Sequence, residues 1–388
     1  MLAFLDGMET TVNTTDVLVI GAGPTGLTLA ASLLTKGIHV TLVDRQARGA
    51  NTSRAAGVNA RTLEVLEPLD VTRRLVKEGI EAPRFVIRDG AEVLLTLDFS
   101  GLDTTYPYTL LAPQSTTERL LLDRVRELGG DVIRPKDLDT ITRDDGGVTA
   151  TFTDGDVIRA RYLVGADGMH STVRQQAGIR FSGGSYEHSF VLADAHLTGD
   201  APTDEVRLFW ASQGLTVVAP LPNGTFRVVA PVDEAPEEPA VELVQALLDE
   251  RGPGGITVTD VTWGSRFRIH HRVADTYRAG RILLAGDAAH VHSPAGGQGM
   301  NLGIQDAVAL AEALTSVLDG GPDAVLDDYA ATRRPIAQQV VELTDRLTRL
   351  ATMPRALRPI RNAMLGIVGR SPRVTRALAS RLSGLVYR

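Results

Sequence analysis

The sequence contains no cysteine among its 388 residues. This absence excludes disulfide bonds, thiolate metal sites and the redox-active cysteine pair on which disulfide reductases depend. The chain also has no excess of positive charge, because its formal net charge is −7. A nucleic-acid-binding surface needs cationic side chains to neutralise phosphates, so no nucleic-acid partner is expected.

Long apolar runs are missing as well. No segment approaches the roughly 18 consecutive apolar residues that a membrane-spanning helix needs. Residues 1–15 lack the basic start and the apolar stretch of a secretion signal. We therefore expect a cytoplasmic protein in which residues 1–14 form a disordered extension. The length of the chain allows one large domain or two moderate domains.

Glycine is concentrated at a turn near the start of the chain. Residues 16–20 are an apolar run that predicts a buried parallel strand, and residues 24–36 have helical character. Gly21, Gly23 and Gly26 lie between them with G-x-G-x-x-G spacing. The first glycine permits a tight turn, the second lets the backbone approach a pyrophosphate, and the third lets helix and strand pack closely.

Asp44 follows a second predicted strand at residues 39–43. A carboxylate about 20 residues after such a glycine turn is placed to bind a ribose hydroxyl. Two further glycine-rich motifs occur at residues 165–168 and at residues 286–301. The three motifs together predict one extended dinucleotide, FAD, bound across a discontinuous domain.

A sheet-rich segment interrupts the nucleotide-binding parts of the chain. Strand-like runs at residues 85–99 and 186–267 surround one predicted helix, and residues 115–118 fit a capping box at the start of another helix. The fold class is therefore α/β, a Rossmann-like FAD-binding domain, which resembles the glutathione-reductase type, with an inserted mixed β-sheet substrate domain and C-terminal helices. The predicted division is residues 15–84, 100–184 and 269–345 for the FAD-binding domain, 85–99 and 185–268 for the substrate domain, and 346–388 for the C-terminal helices.

The last of these segments is strongly basic. Residues 346–388 contain ten arginines and no acidic residue. Contact with anionic lipid or an acidic partner is one interpretation. Basic helices that pack on an acidic body, with their arginines in solvent, are the preferred one.

The three motifs resemble those of the single-component flavoprotein aromatic hydroxylases typified by para-hydroxybenzoate hydroxylase. Residues 278–306 are especially similar to the polyketide and phenol hydroxylase branch of that family. The resemblance implies noncovalent FAD, transient docking of NAD(P)H, and reaction of reduced flavin with O2 to give a C4a-hydroperoxide. That species would hydroxylate an aromatic or polycyclic small molecule, such as a phenol, a polyketide or an antibiotic that the enzyme builds or inactivates.

The resemblance also implies roles for individual residues. Asp44 and Arg45 match adenosine contacts and Arg54 a pyrophosphate contact. Gln114 matches a residue near the diphosphate and ribityl chain, and Asp287 matches the aspartate that binds the ribityl hydroxyls. Met300 and Asn301 match backbone contacts to the isoalloxazine ring, while Asp167 has either a structural or a ligand-binding role. The full predicted cofactor site is Gly21, Gly23, Pro24, Thr25, Gly26, Asp44, Arg45, Arg54, Gln114, Asp167, Gly286, Asp287, Pro294, Gly297, Gly299, Met300 and Asn301.

The late motif also has a physical rationale for redox chemistry. Backbone donors of residues 297–299, at the start of a helix, would stabilise the negative charge of a reduced flavin. Pro294, Gly296 and Gly297 are expected to line the place where oxygen reacts. No catalytic acid or base is assigned, although polar and aromatic candidates occur at Tyr186, His188, His196, Arg207, Trp210, Arg227 and Arg266. His290 and His292 lack carboxylate partners in the sequence, so they do not predict a metal site.

Two other functions share this fold. A flavin-dependent halogenase would carry paired tryptophans and a catalytic lysine, whereas Trp210 and Trp263 are isolated and Lys77 lies in a polar helix. A noncatalytic flavoprotein that binds planar ligands would show no substrate-dependent NAD(P)H oxidation. The chain is expected to be a monomer or homodimer. Many members of the branch continue into a thioredoxin-like domain near the point where this sequence stops, so dimer contacts made by that domain are expected to be missing.

Overall fold

The computed structural model describes residues 13–49, 55–211 and 213–387, without the side chains of residues 186–188 and 269. Its strands are β1 Asn13–Ile20, β2 Val40–Val43, β3 Gly57–Val58, β4 Ile80–Ala82, β5 Arg84–Asp89, β6 Glu92–Asp98, β7 Thr109–Leu111, β8 Val132–Ile133, β9 Leu138–Asp144, β10 Gly147–Phe152, β11 Val157–Gly165, β12 Phe181–Gly199, β13 Glu205–Trp210, β14 Leu215–Pro220, β15 Phe226–Val232, β16 Ile256–Ala274, β17 Arg278–Ala279, β18 Ile282–Leu284 and β19 His290–Val291. Its α-helices are α1 Pro24–Thr35, α2 Ala60–Leu66, α3 Thr72–Glu78, α4 Gln114–Glu127, α5 Thr172–Gln176, α6 Val241–Arg251, α7 Gly299–Leu318, α8 Val325–Ala351, α9 Arg358–Gly369 and α10 Pro372–Leu382.

The first large sheet carries the glycine turn. Its strand order is β17-β18-β11-β1-β2-β8, and β1 runs parallel to both β11 and β2. Residues 17–20 at the end of β1 are buried, as expected for a parallel strand covered on both faces. This arrangement confirms the Rossmann-like α/β fold class.

The second large sheet has the order β19-β16-β12-β15-β14-β13-β5-β6. It combines the early hairpin β5–β6 with strands from the middle of the chain, because β5 pairs in parallel with β13. Two strands of 19 residues, β12 and β16, are antiparallel partners along their length. Both strands run without interruption through the predicted domain boundaries at 184/185 and 268/269.

Two local expectations need correction. Helix α4 begins at Gln114 with Pro113 as its N-cap, so Ser115 lies inside the helix and forms no capping box. Pro113 has an extended ψ of 142°, which places the start of the helix at the next residue. Residues 13 and 14, predicted as disordered, belong to β1 and pair with β11; residues 1–12 are outside the described part of the chain.

The C-terminal helices cover an edge of the second sheet. Helices α9 and α10 both pack on β6, and a buried apolar cluster joins Leu94, Leu95 and Leu97 of β6 to Ala379 and Leu382 of α10. Among the residues that the structure describes, no helix combines the length and apolar character needed to cross a bilayer.

Candidate functional site

The first glycine turn is closely packed on one side and open on the other. Gly21 has a φ of +104°, and a Cβ there would overlap the carbonyl group of Ala166. A Cβ on Gly26 would overlap the carbonyl oxygen of Gly21. At Gly23, the N-cap of α1, the Cβ position has no non-neighbouring heavy atom within 4 Å. The turn therefore offers open backbone at the N-terminus of α1, as phosphate binding requires.

The side chain of Asp44 contacts this glycine turn. Its Oδ2 accepts a hydrogen bond from the Ala22 amide at 2.7 Å, and its Oδ1 accepts one from the Gln46 amide at 2.8 Å. Each carboxylate oxygen retains acceptor capacity for a ligand hydroxyl. Arg45 is exposed beside it, whereas Arg54 lies outside the described residues.

Arg134 and Glu118 extend this end of the site. Sequence analysis did not predict either of them as a site residue. Nη2 of Arg134 donates to the Ala22 carbonyl at 3.3 Å. Glu118 accepts from Gln114 Nε2 at 2.8 Å, and burial raises the pKa of its carboxyl. Arg134 follows β8, which is parallel to β2, so both strands end at the same edge of the sheet. A two-residue strand was too short to give a periodic signal.

Asp167 lies directly behind Gly21. Its Oδ2 accepts from the Val173 amide at 3.1 Å, which ties the motif to α5. Its buried Oδ1 has no hydrogen-bond partner among the described residues, and burial raises the pKa of the carboxyl. Oδ2 of Asp167 therefore makes a structural contact, and Oδ1 is left without a partner. The predicted structural role and the predicted ligand-binding role of Asp167 are thus compatible.

The late motif, residues 286–301, contacts the first glycine turn at the side chain of Thr25. Gly286 has a φ of +61°, and a Cβ on either Gly286 or Gly303 would overlap the Thr25 hydroxyl. Asp287 follows in a 3-10 turn and is exposed. The three glycine motifs, far apart in sequence, therefore enclose one region of the molecule.

A buried ion cluster supports the Gly286 turn from behind. Asp306 accepts from His290 Nε2 at 2.5 Å and Arg333 Nε at 2.6 Å, and from the Gly286 amide at 3.4 Å. Burial alone would raise the pKa of Asp306, but Arg333 and His290 hold it below its ordinary value. His290 thus has a carboxylate partner that the sequence did not reveal, sixteen residues away. No metal-binding group of His, Cys, Asp and Glu occurs in the described ranges.

His292 has a different environment. Its Nδ1 lies 2.8 Å from the Ser293 carbonyl oxygen, which fits a protonated Nδ1. Burial lowers the pKa of this imidazole to about 4. His292 is consequently neutral at pH 7.

The Pro294 loop is held from two sides. Gly296 and Gly297 have φ values of +83° and +64°, and no non-neighbouring atom lies within 4 Å of a Cβ on Gly297. Gln298 Nε2 bridges the carbonyls of Gly296 and Leu382 at 2.8 and 2.9 Å. The loop thus presents open backbone at Gly297, beside the exposed Pro294 and just before α7 begins at Gly299.

Asn301 joins this loop to β3. Its side-chain nitrogen donates to the carbonyls of Gly57 and Gly297 at 2.8 and 2.7 Å, and its oxygen accepts from the Asn59 amide at 2.8 Å. The neighbouring Met300 packs on the main core. The side chain of Asn301 is therefore a structural tie, and any ligand contact there would use the backbone.

The candidates in the second sheet behave mostly as structural residues. Arg227 is 3% exposed, forms two 2.8 Å hydrogen bonds with Asp194, and donates to the Ala55 carbonyl at 3.0 Å. Arg207 and Arg266 pair with Glu205 and Glu237. Trp210 is buried and His196 is exposed, whereas the side chains of Tyr186 and His188 are outside the description. No acid or base is singled out.

Three observations indicate that the cradle formed by the three glycine motifs can hold a dinucleotide. The cradle is open at Gly23 and Gly297, where a side chain would fill it. Asp44 contacts the first glycine turn and Asp287 belongs to the late motif, so each supplies a carboxylate. The buried Oδ1 of Asp167, in the middle motif, has no hydrogen-bond partner among the described residues. Adenosine diphosphate and a flavin ring require such a long, polar and glycine-lined path.

Known proteins share this sequence and fold. A family model described as an FAD binding domain matches residues 14–344. The chain is 35% identical over 364 residues to a rifampicin monooxygenase of Streptomyces venezuelae, an alignment that covers 91% of this chain and 75% of that relative. It is 37% identical over 392 residues to a 12-dehydrotetracycline 5-monooxygenase/anhydrotetracycline 6-monooxygenase of Streptomyces rimosus, with 96% and 77% covered.

A solved structure of another monooxygenase has a similar fold. The p-nitrophenol 4-monooxygenase of Pseudomonas putida matches with a TM-score of 0.85 and 27% identity, over 96% of this chain and 99% of that one. The family model covers most of the chain, and both the sequence and the fold lead to the same class of enzyme. The protein thus belongs to the FAD-dependent monooxygenases of aromatic and polyketide compounds.

Proposed function

We propose that this enzyme uses NAD(P)H and O2 to hydroxylate an aromatic or polycyclic small molecule. The observation that supports the proposal best is the convergence of the three glycine motifs, through Ala166 and Thr25, on one open cradle. Bound FAD would supply the redox chemistry, in which NAD(P)H provides two electrons, one oxygen atom of O2 enters the substrate and the other leaves as water. The protein's task is to bind, orient and exclude water.

The proposed cofactor contacts follow the cradle from end to end. The open amides at Gly23 and the start of α1 would bind the pyrophosphate together with Arg54, while Asp44 and Arg45 would bind adenosine. Gln114 would lie near the diphosphate.

The flavin end is proposed at the late motif. Asp287 would accept hydrogen bonds from the ribityl hydroxyls. Amides of residues 297–299 and the backbone of Met300 and Asn301 would contact the ring, where they would stabilise negative charge. No side chain is proposed as a general acid or base.

We propose that the substrate is larger than a simple phenolic acid, because the rifampicin and tetracycline monooxygenases are among the similar proteins. The second sheet, with β5–β6 and β12–β16, is the proposed substrate-binding domain. A cytoplasmic location is part of the same proposal, as is a monomeric or homodimeric state.

The test is a substrate panel with purified holoenzyme. Rifampicin, anhydrotetracycline, p-nitrophenol and naphthoquinones are scored by NAD(P)H consumption and by product mass under labelled O2. A product that gains one labelled oxygen supports the proposal. NAD(P)H oxidation that no compound stimulates would favour the planar-ligand-binding alternative, and halogen incorporation would favour the halogenase.

A further inference from the structure

Helix α9 and the turn before it expose a stripe of large apolar side chains. Ile360, Met364 and Ile367 are 61%, 59% and 67% exposed, and Leu357 is 47% exposed. Spacings of four and three residues place the first three side chains on one face of the helix. This periodicity normally marks a face that packs on a core, yet here it faces solvent.

A neighbouring face of α9, one residue further along at each position, is fixed to the protein. Arg361 is 2% exposed and donates to the carbonyls of Trp210 at 2.6 Å and Ala351 at 3.4 Å. Leu365 and Val368 join the apolar cluster that contains β6. These contacts prevent α9 from rotating its apolar stripe inward, so the stripe is a permanent feature of the surface.

The stripe lies within the most basic part of the chain. Residues 346–388 carry ten arginines and no acidic residue. A total charge of −7 with +10 in this segment leaves −17 for residues 1–345. Arg355 precedes α9, Arg370 follows it, and Arg373 and Arg376 continue on α10, all of them exposed. We call the apolar stripe and these arginines the C-terminal basic surface.

We propose that the C-terminal basic surface docks the enzyme reversibly on an anionic lipid surface. The apolar side chains would enter the boundary between headgroups and acyl chains, and the arginines would lie near lipid phosphates. Charge complementarity favours this occupant, because the apolar residues lie in a segment that carries cationic residues and no carboxylate. Arg355 lies 3.8 Å from Glu250 of α6, and Arg370, Arg373 and Arg376 supply the remaining positive charge. The proposal is independent of the reaction that the enzyme performs.

A second copy of the chain fits this surface less well. A stable interface buries about 800 Å² and roughly 20–30 residues on each partner, whereas the stripe has four large apolar side chains. Two copies joined through it would also bring together two segments that carry only positive charge. A lipid surface requires neither a large complementary area nor an acidic pocket.

The test is cosedimentation of the full-length holoenzyme with vesicles. Vesicles of phosphatidylcholine alone are compared with vesicles that also contain phosphatidylglycerol, at low and high salt. We expect binding to the anionic vesicles that weakens as salt rises. The triple variant Ile360→Ser, Met364→Ser, Ile367→Ser should lower the partition coefficient about tenfold or more, since it removes three apolar side chains from the interface.

Matched variants separate lipid binding from binding of an acidic protein and from self-association. Ile133→Ser, which changes a 44% exposed side chain on β8, should bind vesicles like the wild type. Arg370→Gln, Arg373→Gln, Arg376→Gln should lose most of the preference for anionic vesicles. The inference is overturned if the wild type ignores anionic vesicles, or if the serine variant binds them equally well. It is also overturned if polyglutamate is bound and vesicles are not, or if the serine changes only dissociate a dimer.

Discussion

Replacing Arg333 with methionine should destabilise the protein by about 3–5 kcal/mol, the range for breaking a buried ion pair by removing one partner. Asp306 is fully buried and Arg333 is 5% exposed, so solvent cannot take over the lost interaction. The carboxylate would keep its contacts to His290 and to the Gly286 amide. It would lose its permanently charged partner.

The assay is denaturant unfolding of the apoprotein, in which a bound cofactor cannot mask the change. Arg349→Met is the matched control on the same helix, because that arginine is 77% exposed and pairs with Asp345 at the surface. An exposed pair contributes about 1 kcal/mol or less. If the two variants lost equal stability, or if Arg333→Met lost less than about 1 kcal/mol, the buried cluster would not be what supports the late motif.

Four other outcomes follow from the described contacts. Asp287→Ala should weaken FAD binding without unfolding the exposed turn; unchanged FAD affinity in a titration would contradict its ribityl role. Gly21→Ala should lower the folded yield, because φ is +104° and its Cβ would overlap Ala166; a stable variant would show that the turn is less constrained. The pKa of His292 is lowered from 6.5 to about 4, so its stabilising contribution is present above pH 6.5 and is lost as the pH falls to 4. His292→Asn should remove up to about 3 kcal/mol of that pH dependence, and identical pH profiles would count against it. Arg227→Met should destabilise the protein more than Arg266→Met, whose surface pair is exposed; equal unfolding midpoints would contradict this ranking.

Local sequence patterns were sufficient for the Rossmann-like part of the fold. The glycine spacing and the apolar run before it specify a strand, a turn and a helix through contacts between near neighbours. The start of α7 at Gly299 was also predicted, since residues 297–299 were placed at the start of a helix. The start of α4 was misjudged, because the extended conformation of Pro113 places it at Gln114.

Long-range partners could not be predicted from one sequence. Asp306 and Arg333 lie 27 residues apart on different helices, and neither belongs to a short motif with a defined mechanism. Arg227 was considered as a polar candidate, but its pairing with Asp194 depends on the register of β12 and β15. Which residues of two strands pair depends on contacts between segments distant in sequence, and the period-two pattern of either strand alone does not identify its partner.

The three glycine motifs are expected to form one FAD site. This expectation is tested most directly by calorimetric titration of FAD into apoprotein of the wild type, Gly23→Val and Gly101→Val. Both glycines have no non-neighbouring heavy atom within 4 Å of a Cβ, so both variants should fold. We expect one FAD per wild-type chain, at least about tenfold weaker binding for Gly23→Val, and unchanged binding for Gly101→Val. Equal FAD affinity for all three proteins, or no FAD binding by the wild type, would contradict the account.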